Sequence, residues 1–338
     1  MPAADAPTLD EINRVFQMIM GSMMSQAVRT LTLMSVAEHL AAGPLDAEEI
    51  ARRESADPAM TRRLLRAGVA LGLLKFDTER ATFAGTPMLS VLHGDSPTSL
   101  KHYALGAPSR SFWLPSLTMP ETVREGVNHV TEALGAQLFE YFAEHPEEAA
   151  NFGAAMTNLS VPIIREGVGR IEAPSGLAVD VGGAEGAFVA ELVERNPGLT
   201  GTVLELPHAV PAARAAAERR GLADRVSAVA GDFFTAVPEG DIYLLKFVLH
   251  DWDDEACVRI LRNIRRAMRP DGRLYVVEMA ISDADPSPSA ALLDLAMLVA
   301  TAGQERTREQ YERLLAQADL RVRQVLPLTD LYHMIEAV

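Results

Sequence analysis

Cysteine is nearly absent: Cys257 is the only one in 338 residues. No intrachain disulfide can form, and a reducing compartment fits. Positive charge is also in short supply. The chain has 31 Lys and Arg against 46 Asp and Glu, a net charge of −15, with pI near 5.0. That balance argues against nucleic acid or an anionic membrane as the main partner. No apolar run is long enough to span a bilayer. The opening Met1-Pro2-Ala3-Ala4-Asp5 has neither the basic nor the apolar segment of a secretory leader. The cytoplasm is therefore the expected location. Internal repeats and low-complexity tracts are missing as well. What is present is an apolar fraction of 48%, enough for a substantial core, on a length that suits two domains.

The stretch Leu177-Ala178-Val179-Asp180-Val181-Gly182-Gly183-Ala184-Glu185-Gly186 organises the remainder. It reads as a buried parallel strand, then a glycine-rich turn, then a helix over 187–196. Glycines there let a ligand approach the backbone closely. Gly182, Gly183 and Gly186 miss the G-x-G-x-x-G register of dinucleotide sites. Asp180, just before the turn, is expected to face a ligand. A carboxylate there repels pyrophosphate but suits a cation such as S-adenosylmethionine. Glu205 ends the next apolar run, where a ribose diol is usually held. An ordinary α/β turn with a surface Asp is the plain alternative.

Upstream, residues 8–41 carry Ile12, Val15, Phe16, Met18, Ile19, Met23, Val28, Leu31 and Leu40 at helical spacing. Too many faces are apolar for a lone surface helix. A partner chain or a second domain must cover them, and a dimer is expected. Residues 42–105 read as helix, turn, helix and short hairpin, a winged-helix pattern. Asp57 is its N-cap and Pro58 its first helical residue. Arg62, Arg63 and Arg66 are candidates for DNA contact, but no basic stripe accompanies them, so a scaffold is preferred. Residues 1–105 are thus read as a helical winged-helix-like domain and 106–171 as a helical connector lining the pocket. Residues 172–338 are read as a ligand-binding, catalytic domain. Within the connector, 152–168 reads as a helix with Met156, Ser160 and Ile164 on one face, kinked or split at Pro162. Strands at 177–182, 201–205, 226–230, 241–247 and 272–279 alternate with helices, which predicts a parallel, doubly wound sheet. The tail, 322–328 and 331–337, reads as a closing antiparallel hairpin, a habit of class I methyltransferases rather than of NAD folds.

Open α/β sheets bind ligands at the carboxyl ends of their strands. Asp232 and Phe233 stand at one such end and suit an adenine, as acceptor for its amine and as a ring to stack on; a capping Asp and a core Phe would look the same. Lys246 could meet a carboxylate or simply snorkel. His250 is the candidate base, since an imidazole with pKa about 6.5 takes a proton near neutrality. Glu278 and Glu305 would hold its tautomer, as a carboxylate does in a serine protease triad. Asp251, Asp253, Asp254 and Glu255 could bind a divalent metal, but a helix starting there explains acids by its dipole, and no metal is expected. Trp113, Phe152, Phe247, Asp251, Met297 and Leu298 are pocket candidates by position.

The chain resembles the S-adenosylmethionine-dependent O-methyltransferases of the plant caffeate/flavonoid type and their bacterial natural-product relatives. The residues that carry this are Val179-Asp180-Val181-Gly182-Gly183, Leu206-Pro207-His208, Gly231-Asp232-Phe233-Phe234, Leu249-His250-Asp251-Trp252-Asp253-Asp254-Glu255 and Glu305-Arg306-Thr307. The resemblance implies an α/β fold, a class I methyltransferase Rossmann-like sheet behind an N-terminal dimerisation domain. It implies that Gly182, Glu205, Asp232, Phe233 and Lys246 contact S-adenosylmethionine, with Met156 and Ser160. It makes His250 the base, flanked by Glu278 and Glu305, in metal-free methyl transfer to a hydroxyl. The acceptor would be a small aromatic or polyketide-like metabolite, and the enzyme a homodimer. Ala184 stands where the family often has a third glycine and Glu205 where Asp is commoner, both read as mild departures. Some relatives hydroxylate, decarboxylate or cyclise instead, which is the alternative activity.

Overall fold

The structure, a computed structural model, describes residues 6–96, 99–301 and 303–338. The reading of the first five residues as lacking a leader lies outside them. Two units form. One takes the described residues up to Trp113 together with His145–Asn158; the other takes Leu114–Glu144 and Leu159–Val338. The stretch 106–171, read as a connector, is divided between them. Among the described residues no helix is long and apolar enough to cross a membrane.

In the first unit, helices Leu9–Ile19 and Gly21–Leu33 lead into helices Ala47–Arg53 and Pro58–Ala70 and the hairpin β1 (Leu74–Asp77) with β2 (Thr82–Gly85). Asp57 Oδ1 accepts from the Met60 amide at 2.8 Å and Pro58 opens the helix. Leu31, Ile50, Leu65, Leu74 and Phe83 pack its core. Arg62 lies over the Phe76 ring at 5.5 Å. Helix Leu9–Ile19 buries none of its residues.

Helix Pro146–Val168 is continuous through Pro162. It is not split there: a proline removes one i→i−4 hydrogen bond, and the rest of 23 residues carry the helix. It feeds β3 (Ser175–Val181), β4 (Gly198–Glu205), β5 (Val226–Ala230), β6 (Gly240–Lys246), β7 (Met268–Ile281), the two-residue β8 (Arg306–Thr307), β9 (Val322–Pro327) and β10 (Tyr332–Ala337). The sheet order is β5-β4-β3-β6-β7-β10-β9, with β8 pairing β7. Strands β5 through β7 run parallel, and β10 is antiparallel to both β7 and β9. Apolar residues cover both faces, as a parallel sheet requires. Phe188, Leu192 and Val193 pack on one side; Ile260, Leu261 and Leu314 pack on the other. The strand order reverses between β3 and β6, where such sheets bind ligands.

Candidate active site

The glycine turn closes over the end of β3. Gly182 has φ +68° and Gly186 φ +75°, the region that glycine adopts without steric cost. A Cβ on Gly182 would sit 3.5 Å from the Phe233 ring and 3.3 Å from Val248, so the turn brings bare backbone close to the Phe233 ring. Glu205, at the end of β4, accepts from the Ala184 amide at 3.1 Å and from the Leu206 amide at 2.7 Å. Spare lone pairs remain on each oxygen. Asp232 is exposed, and its carboxylate accepts from the Phe234 amide and the Thr235 hydroxyl at 2.8 and 3.2 Å. Lys246 ends β6 and donates from Nζ to Ser160 Oγ at 2.9 Å. Burial holds its ammonium below the usual lysine range, though Asp180 and Glu278 oppose the shift. Bare backbone, an aromatic ring and carboxylates at adjacent strand ends suit the adenosine and the positive sulfonium of S-adenosylmethionine.

Asp180 is a correction. It does not face the opening: it is 2% exposed and accepts from the Val189 amide at 3.2 Å. Alternation along β3 gives it the same face as Ala178, beneath helix Ala187–Arg195. Burial raises its carboxyl to about 6, against the Val189 amide and the charge of Lys246. Its carbon lies 2.4 Å from where a Gly183 Cβ would be, so it buttresses the turn from below. Ala184 is the second correction. Its φ of +51° is a conformation that strains any residue with a Cβ, so its methyl is not a mild replacement for glycine.

His250 sits in the short 3-10 turn Leu249–Asp251 after β6. Its Nδ1 donates to Glu305 Oε1 at 3.0 Å and lies 3.6 Å from Glu278 Oε2. Nε2 is 3.7 Å from Asp251 Oδ1. Glu278 is buried at the end of β7, and its Oε1 accepts from the amides of Val248 and Leu249 at 2.9 and 2.8 Å. Burial works against the imidazolium, but Glu278, Asp251 and Glu305 outweigh it and hold the ring up at about 10. Burial also pushes Glu278 up to about 7, countered by His250. The ring of Phe247 stacks on the imidazole at 6.0 Å. One donor atom each from His250, Glu278 and Glu305 lie within 4.8 Å of one another. The acids that follow have structural uses. Asp253 caps helix Asp254–Ala267, accepting from the Ala256 amide at 2.8 Å, and Asp254 pairs with Arg306.

Two residues escaped the sequence reading. Asp294 Oδ1 accepts from the Glu305 amide at 2.8 Å. It is the only charged residue in helix Pro288–Ala300, a signal that could have found it. Met297 and Leu298, three and four residues on, share its helix face. Arg306 is fully buried and bonds the carbonyls of Leu249 and Trp252. Trp113, Phe152 and Met156 belong to the first unit, where Phe152 stacks on Phe112 at 5.9 Å.

Residues 117–321 match the O-methyltransferase domain family, and residues 16–95 match the O-methyltransferase dimerisation domain. The mitomycin biosynthesis 6-O-methyltransferase of Streptomyces lavendulae is 34% identical over 327 residues, 96% of this chain and 93% of that protein. Among solved structures, a mitomycin 7-O-methyltransferase has a TM-score of 0.91 at 32% identity, covering 96% of both chains. Human N-acetylserotonin methyltransferase in complex with S-adenosylmethionine has a TM-score of 0.88 at 29% identity, covering 99% of both. The sheet with its antiparallel closing pair, the order reversal between β3 and β6 and these matches lead to one conclusion: the chain belongs to the S-adenosylmethionine-dependent O-methyltransferases.

Proposed function

We propose that this O-methyltransferase methylates a phenolic hydroxyl of a small aromatic or polyketide-like metabolite, with His250 as general base. The observation that carries it is the grip on the imidazole. Nδ1 is bound at 3.0 Å by Glu305 with Glu278 behind it, which leaves Nε2 for the acceptor. The mitomycin relatives support the acceptor class. Bound S-adenosylmethionine supplies an electrophilic methyl group. A free phenol has pKa about 10, so Nε2 takes its proton as the oxygen becomes nucleophilic. Glu305 and Glu278 stabilise the imidazolium that results. Alignment of the oxygen supplies much of the remaining rate. Gly182, Glu205, Asp232, Phe233 and Lys246 are the proposed cofactor contacts. Ser160 joins them through Lys246, and Asp180 acts through the turn it supports. Phe247, Asp251, Met297 and Leu298 are proposed acceptor contacts. For Trp113, Phe152 and Met156 the reading rests on sequence alone. The dimerisation domain and the apolar side chains of helix Leu9–Ile19 support a homodimer. The net charge of −15 supports a small-molecule acceptor over nucleic acid, and the lone, buried Cys257 supports a cytoplasmic location.

His250→Gln tests the base. A panel of phenols is screened by mass spectrometry for products heavier by one methylene, and the best acceptor is used. Turnover should fall about 10²-fold or more, with S-adenosylhomocysteine affinity retained. Turnover within about threefold of the unaltered enzyme would remove His250 from the role, given the 10²–10⁴-fold that such bases contribute.

A further inference from the structure

Arg306 is 0% exposed, the largest fully buried side chain among the described residues. A buried guanidinium is costly, and a well-packed apolar residue of similar volume often serves stability as well or better. Its ion partner Asp254 has a side chain 65% exposed, so the pair is not a closed internal salt bridge. The other donors go to backbone. Nη1 reaches Leu249 O at 2.9 Å and Gln304 O at 3.4 Å, Nη2 reaches Trp252 O at 2.7 Å, and Nε reaches Asp254 Oδ1 at 2.9 Å. Leu249 precedes His250 and Trp252 follows it by two. The planar fork therefore spans the turn that carries the imidazole, which a point-like ammonium could not do. Its neighbour Glu305 holds the ring of the same residue. The segment lies directly on the turn: a Cβ on Gly303 would fall 1.7 Å from the His250 carbonyl oxygen. Consecutive residues thus hold this turn twice, Glu305 by the His250 ring and Arg306 by the Leu249 and Trp252 carbonyls on either side of it.

We propose that Arg306 is a positioning residue for methyl transfer, clasping the turn 249–252 so that His250 Nδ1 stays seated on Glu305. This rests on the reading of His250 as the base. A displacement of about 1 Å at such a group can cost 10²-fold in rate. The test uses Arg306→Lys and Arg306→Met in the full chain, with His250 labelled by ¹⁵N-histidine. Four quantities are measured: S-adenosylhomocysteine affinity by calorimetry, the low-field Nδ1 proton resonance of His250, and kcat and KM on the acceptor from the screen. The resonance is assigned by its absence in His250→Gln.

Both variants should bind S-adenosylhomocysteine within about threefold, shift or lose the Nδ1 resonance, and lower kcat by about 10²-fold while the acceptor KM holds within about threefold. An unmoved resonance overturns the proposal, whatever kcat does. If neither variant folds, Asp254→Asn loosens the same fork from its exposed end, and an unmoved resonance there overturns it equally. The reading of His250 as base fails separately, by full turnover in His250→Gln, because the resonance reports the clasp without reference to chemistry.

Discussion

At the level of single residues, the site is defined by how many carboxylates face one imidazole. Glu305 touches Nδ1, Glu278 stands behind it and Asp251 flanks Nε2. Together they overcome burial and raise the ring to about 10, above the ~6.5 of a free imidazole. The charged ring therefore stabilises the fold fully below about pH 6.5, and that contribution is lost as pH rises through about 10. Activity runs the other way, since a base must be unprotonated to accept a proton. The rising limb of kcat/KM should lie well above pH 6.5. In Glu305→Gln one raising charge is gone, and the limb should move down by about 1–3 units. A profile of kcat/KM from about pH 6 to 10 checks this, over the span set by the free imidazole and the raised one. A limb that stays put would mean that Glu305 does not set the charge of the ring.

The strand–turn–helix element that follows β3 makes opposite demands at adjacent positions. Gly183 has no room for a Cβ, because the Asp180 carboxylate, held by the Val189 amide, lies 2.4–2.8 Å from that point. Gly183→Ala should destabilise the protein by about 1–3 kcal/mol, as overpacking does, and weaken S-adenosylhomocysteine binding. Ala184 carries a Cβ at φ +51°. Ala184→Gly should relieve about 1 kcal/mol of left-handed strain and raise the urea midpoint. The same sign from both substitutions would refute this account of the turn. The contrast shows how far the sequence could be read. The alternation of Val-rich runs with amphipathic segments locates every strand of the parallel sheet, and Asp57 is legible as a cap because capping is local. Asp180 is the residue the sequence misplaces, because alternation along a strand does not say which of the two faces a helix covers, and the Val189 amide that holds this carboxylate comes from that helix. Ala184 looked harmless because φ is invisible in a residue name. His250 and Glu278 are legible from their positions at strand ends, and Glu305 from the Glu305-Arg306-Thr307 run. Arg306 is not, since nothing in an Arg within a charged motif tells a surface side chain from a buried fork.

At the scale of the whole molecule, the first unit exposes a surface that its own core does not use. Leu9, Ile12, Val15, Phe16 and Ile19 are 50–78% exposed on one helix, at spacings of three and four that gather them on one side. Its N-cap is complete, with Thr8 and Glu11 forming a reciprocal capping box, so the helix is specified locally rather than held by packing. Contiguous apolar surface of this kind marks an interaction site, and the dimerisation-domain match, which begins within this helix at residue 16, makes a second copy of this chain the expected cover. At about 25 cal/mol per Å², five large apolar side chains from each copy are a substantial part of what association requires. Ile12→Glu combined with Phe16→Glu places two charges on that face without touching either core, and the thermal unfolding of the sheet should be little changed. Sedimentation velocity at low micromolar concentration should then give a monomer where the unaltered chain gives a dimer. A dimer that survives both charges would show that the copies meet elsewhere, and a monomer from the unaltered chain would leave this face to a different partner.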